Sequence, residues 1–217
     1  MSTTHLNNPS RVFVGPNTGG IVLACGFGAT ALMWVIAYFG MMGPGLIVGE
    51  ALFGLTVLAM LAAGFVAGRY AGVAWRTGVA IGLVSALLNL LVMGAVIEGE
   101  TVVEQLQRTA IWGGAVALVS MALGGIGAAI GRIFVARRAV QQSPPGIWYF
   151  RFVCVAAVTV LLLLITGGLV TGLEVGLAVP DWPNTYGHNM LLYPLSEMTG
   201  GVYYEHAHRL YGTLVGL

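Results

Sequence analysis

The chain has 217 residues, of which 58% are hydrophobic and 8% charged, with a formal net charge of +1. A soluble domain carries roughly 25% charged residues, so a water-exposed globular enzyme and a disordered chain are excluded, and so small a net charge excludes a basic nucleic-acid binder. A mean hydropathy of +0.89 leaves an all-α, multi-pass membrane protein.

In chain order, residues 1–19 are polar and turn-rich and need no signal peptide. A helix needs about 20 apolar residues to cross a bilayer. Such runs occupy roughly residues 20–42, 45–67, 77–97, 110–134 and 148–173. They are too long for strands and lack alternation. A further apolar stretch near Tyr203 stops at Leu217. The expectation is a helical bundle of five complete transmembrane helices plus the start of a sixth, cut mid-helix. The short Met41-Met42-Gly43-Pro44-Gly45 connection makes the first two spans an antiparallel hairpin. The 33 glycines follow no G-X-Y period and suit close helix packing. Cys25 and Cys154 lie in apolar runs and read as small buried hydrophobes, and the methionines as scattered core fillers.

Orientation follows from the arginines, since there is no lysine. Arg11, Arg69, Arg76, Arg132, Arg137, Arg138 and Arg151 fall on one side if the spans alternate, and that side carries no acidic residue. Glu98, Glu100, Glu104, Glu174, Asp181 and Glu197 fall on the other. The N-terminus is therefore expected in the cytoplasm, the protein in the inner (plasma) membrane, and the loop 174–204 outside. Trp75, Trp112 and Trp148 are placed as interfacial anchors.

The polar, basic stretch around Pro144-Pro145 marks a boundary. Residues 1–140 form a four-span module of unreadable function, and residues 147–217 begin a second. The first offers little chemistry. Asn89 lies mid-span, where a hydrogen bond to a neighbouring helix explains it, and Glu50 lies near headgroup water. The small residues of 124–131 read as a packing face.

The second module is richer. Pro180 and Pro183 bracket Asp181 and Trp182 in a stiff external turn, where Asp181 serves as a turn cap or a site group and Trp182 dips into the interface. Glu205, His208 and Arg209 share one helical face at spacings of three and four. His206 points roughly the opposite way, and its contribution is left open. An imidazole projecting into a helix bundle is a standard axial haem ligand. Glu205 would then stand beside the macrocycle edge, and Arg209 would pair with a propionate or with Glu205.

The stretch from Gly167 to Gly187 followed by Glu-His-Ala-His-Arg resembles the amino-terminal part of the heme A synthase family, membrane enzymes of two similar four-helix bundles. Gly176, Leu177, Asp181, Trp182 and Pro183 meet the family's first external loop, and Glu205, His208 and Arg209 meet its Glu-x-x-His-Arg. The resemblance covers about 70 of the 217 residues. It implies that His208 is an axial ligand to haem iron and that Glu205 is catalytic, with Arg209, Asp181 and Trp182 binding cofactor. The implied reaction oxidises the heme O ring methyl to a formyl group, with oxygen from water and electrons leaving through heme b. Val179 and Thr185 stand where some members carry cysteines, so a loop disulfide is not expected. Further histidine ligands lie beyond the residues matched, so the 217-residue chain is expected not to convert heme O unaided. The partners expected are the haem substrate, membrane lipid, heme O synthase or oxidase subunits, and a second copy of the chain, with no nucleic acid. Two alternatives are a non-catalytic haem-binding or oxidase-assembly protein and a small transporter built on the first module, the latter weakened by the lack of intramembrane charge pairs.

Overall fold

In a computed structural model of the chain, residues 17–41, 49–93, 102–182, 184–190, 193 and 197–217 are described. The chain is a helical bundle of α1 (Thr18–Met41), α2 (Gly49–Ala71), α3 (Trp75–Met93), α4 (Val102–Ile133), the short α5 (Arg137–Gln142), α6 (Ile147–Gly172) and α7 (Gly200–Gly216). Between α6 and α7, strands β1 (Asn184–Thr185) and β2 (His188–Asn189) form a minimal antiparallel hairpin. Long apolar segments become helices because a helix satisfies its own backbone donors and acceptors where water is absent.

Four helical stretches, Thr18–Gly40, Gly49–Ala71, Ala110–Ile133 and Ile147–Gly172, are long and apolar enough to cross a membrane. The run expected at 77–97 forms α3, whose apolar part is shorter, Trp75–Leu90, and whose continuation lies outside the described residues. So do the expected connection after Met41, Arg11, Glu98, Glu100 and Pro183. Many apolar side chains face outward, among them Phe53, Leu58, Leu118, Phe150 and Leu164, as lipid contact requires.

Sequence punctuation sets the helix ends. Asn17 Oδ1 accepts from the Gly20 N–H at the start of α1. Gly72, at φ +66°, ends α2 in the left-handed conformation that a Cβ disfavours, its N–H on the Gly68 carbonyl.

Helices α2, α3 and α4 approach at backbone distance. A Cβ placed on Gly78 would fall on the Gly124 carbonyl, one on Gly82 on the Ser120 carbonyl, and one on Gly68 on the Ala128 carbonyl. The small-residue stretch of α4 is thus the face on which both other helices pack.

Helix α1 joins the two parts of the chain. On one side Thr30 Oγ1 meets Ser85 Oγ at 3.0 Å, and the Trp34 indole N–H donates to Asn89 Oδ1 at 2.9 Å, tying α1 to α3. On the other side Phe27 meets Phe152 edge-on, Trp34 meets Tyr211 edge-on, and Tyr38 stacks on Tyr203. Each such aromatic pair is worth about 0.5–1.5 kcal/mol beyond its burial. Helix α1 thus packs against α3 on one side and against α6 and α7 on the other.

The packing brings several arginines to one end of the bundle. Arg69 Nη1 donates to the Phe134 carbonyl at 3.0 Å, joining the end of α2 to the end of α4. The start of α6 lies against Gly20 at the start of α1. Trp75 and Trp112 are exposed as anchors would be, but Trp148 is not. It is buried at the α1–α6 contact, with the Arg151 guanidinium 4.2 Å from its ring centroid. Arg108, at the other end of α4, pairs with Glu104.

Candidate functional site

The site forms where the loop between α6 and α7 folds back over the start of α7. Its hairpin turns through Tyr186 and Gly187, both with positive φ (48° and 79°), as a two-residue turn matching strand twist demands. Tyr186 is an unusual residue there, and Asp181 holds it in place. Asp181 Oδ1 accepts from the Tyr186 N–H at 2.8 Å and Oδ2 from the Gly187 N–H at 2.7 Å. These bonds, Gly187 foremost, hold the Asp181 carboxyl below its ordinary range, and the Arg209 charge adds to the effect. The Tyr186 hydroxyl donates to the Ala178 carbonyl. Asp181 is thus the turn cap, and Trp182 points outward with 77% of its surface exposed.

Glu205 and Arg209 bolt this loop to α7. Arg209 Nη2 and Glu205 Oε1 form an ion pair at 2.6 Å, with side chains only 14% and 8% exposed. Glu205 Oε2 accepts from the Val179 N–H at 2.8 Å. Arg209 also donates to the carbonyls of Asp181 (2.7 Å), Asn184 (3.0 Å) and Val179 (3.0 Å). Of the two partners the sequence left open for Arg209, the structure has Glu205, and both terminal nitrogens of the guanidinium also donate to loop carbonyls. The planar fork of arginine suits this convergence, which a lysine ammonium would not match.

The two histidines part as their spacing predicts. His206 is fully buried, its ring 5.1 Å from Tyr193 between centroids, with Nδ1 3.2 Å from Thr185 Oγ1 and Nε2 without a hydrogen-bond partner among the described residues. His208 faces α6. Its Nδ1 lies 3.2 Å from Thr166 Oγ1, and its ring rests on Gly167, where a Cβ would come within 2.8 Å of Cε1. The structure therefore separates the predicted residues. Glu205, Arg209 and Asp181 form one polar clamp under the loop, and His208 stands apart in a niche on α6.

Thr166, Gly167, Thr185 and the Val179 amide are missed by a reading of the sequence. Only Gly167 left a signal, because a glycine inside a helix costs about 1 kcal/mol against alanine and so marks a close approach.

A haem iron needs from the protein an imidazole nitrogen with a free lone pair and room beside it. His208 meets the first condition, since Nε2 has no hydrogen-bond partner among the described residues, and glycine at 167 lets the ring lie close against α6. Cys25 and Cys154 are both free thiols, Cys25 buried and Cys154 exposed. Among the described residues no three His, Cys, Asp or Glu side chains gather as a metal-ion site. Comparisons with protein-family models, curated proteins and solved structures return no match for the chain.

Proposed function

We propose that the α6–loop–α7 unit binds haem in a membrane oxidoreductase of the heme A synthase type, with His208 as an axial ligand and heme O as the substrate whose ring methyl is oxidised. The observation that supports this reading most is the setting of His208, an imidazole anchored through Nδ1 against Thr166 and Gly167, with Nε2 left without a hydrogen bond among the described residues. Bound haem would supply one-electron chemistry at iron. The chain's own residues have the remaining tasks. Thr166 and Gly167 seat the imidazole, Glu205 and Arg209 hold the loop closed over the start of α7, and Asp181 shapes the turn that carries Trp182. On this reading the chain runs through the plasma membrane with its arginine end in the cytoplasm, five spans cross fully, and Trp182 meets the outer headgroups.

The test is a hemin titration of the chain in nanodiscs, followed by absorption. The wild type should bind with a shifted Soret band, and His208→Gln should lose the shift. Identical titrations would overturn the proposal. The full engagement of both Glu205 oxygens favours a second reading, in which the unit holds haem without turnover, as an oxidase-assembly protein. Glu205→Gln separates the two. A changed spectrum of bound haem puts the carboxylate beside the macrocycle, as the enzymatic reading requires, and an unchanged one favours the second.

A further inference from the structure

The hydroxyl of Thr166 lies between two partners. Oγ1 is 3.0 Å from the Leu163 carbonyl oxygen, on the same helix, and 3.2 Å from His208 Nδ1. Thr166 is 4% exposed, so water is not at hand to rearrange this geometry. A hydroxyl carries one proton, and a carbonyl oxygen only accepts. If the proton went to Nδ1, Oγ1 and the Leu163 oxygen would face each other as two lone-pair groups at hydrogen-bond distance. The satisfied arrangement gives the Thr166 proton to Leu163 and has Oγ1 accept from a protonated His208 Nδ1. A neutral imidazole protonated at Nδ1 carries its free lone pair on Nε2.

From this we infer that Thr166 is a positioning residue for His208. It selects the Nδ1–H tautomer, and Gly167 lets the ring lie close enough for that bond to form. The inference rests on the proposed haem-binding reading for its purpose, but its chemistry stands on α6 and α7 alone. Partners of this kind fix the ring orientation and raise the basicity of a ligating histidine. Thr166 sits one position before Gly167, so the anchor and the gap it needs are consecutive residues on α6. A Cβ at residue 167 would meet the ring before the Nδ1–Oγ1 bond could close. The geometry thus assigns to a buried threonine a task that its apolar neighbours in the sequence conceal.

The experiment is nitrogen NMR of the full chain, labelled with 15N-histidine and reconstituted in nanodiscs, with His208→Gln assigning the signal. Wild type and Thr166→Ser should both show His208 protonated at Nδ1. Thr166→Val keeps the shape without the hydroxyl, and should show the Nε2–H form gaining population and hemin affinity falling about 10- to 100-fold. Thr166→Ser should restore both. A wild-type His208 signal protonated at Nε2 overturns the inference, as does an unchanged tautomer in folded Thr166→Val. If the tautomer results hold while wild type and His208→Gln take up hemin alike, the haem reading fails and the positioning role stands.

Discussion

Replacing Arg209 by leucine removes one side chain, disconnects the loop from α7 at three acceptors, the carbonyls of Val179, Asp181 and Asn184, and breaks the ion pair with Glu205 within α7. It also leaves Glu205, with a side chain 8% exposed, as a buried carboxylate without its cation. Removing one partner of a buried pair costs about 3–5 kcal/mol. The individual charge-assisted bonds, each about 1.5–3 kcal/mol, are not added to that figure because they describe the same loss. At about 1.4 kcal/mol per factor of ten, opening of the loop should become roughly 10²- to 10⁴-fold more frequent. Hydrogen–deuterium exchange in nanodiscs reads this at the Val179, Tyr186 and Gly187 amides, all of which donate to the clamp residues. Amides of α1 and α3 should keep their protection, because the loss is local. Arg209→Lys keeps the charge without the fork and should fall between. Unchanged exchange at Val179 and Gly187 in Arg209→Leu would refute the reasoning, since the loop would then be held by something other than the clamp.

Acidification should loosen the same loop through Asp181. Its carboxyl is held below the ordinary value, so its contribution is fully present above about pH 4 and is lost as pH falls through the lower folded value. The tryptophan emission that Trp182→Phe removes should report this transition, and Asp181→Asn should flatten it. Within the bundle, a double-mutant cycle of Trp34→Phe and Asn89→Leu should return a coupling of about 0.6–1.7 kcal/mol in reversible unfolding, the range for interhelical hydrogen bonds in lipid. A coupling near zero would mean that the 2.9 Å bond between α1 and α3 does not stabilise their packing.

Most helices were legible because a run of apolar residues has one good solution in lipid, and because Pro144-Pro145 punctuates the chain chemically. The divergence of His206 from His208 follows from helical spacing, which also offered Glu205 as one of two partners for Arg209. What escaped the sequence was tertiary. Nothing in residues 17–41 announces that α1 is shared by α3, α6 and α7, since an apolar helix reads the same whichever face it buries. Trp148 looked like an interfacial anchor and is buried against Gly20, because a close backbone approach from α1 covers it. Thr166 looked like one more small residue in a membrane helix, and only the fold brings it beneath an imidazole 42 residues away.

Pulsed electron paramagnetic resonance of ferric haem bound to the 15N-histidine-labelled chain tests ligation by His208 most directly. The account predicts strong hyperfine coupling from an imidazole nitrogen in the wild type and its loss in His208→Gln, with Thr166→Ser retaining it. Coupling that persists undiminished in His208→Gln, or that is absent from the wild type, would contradict it.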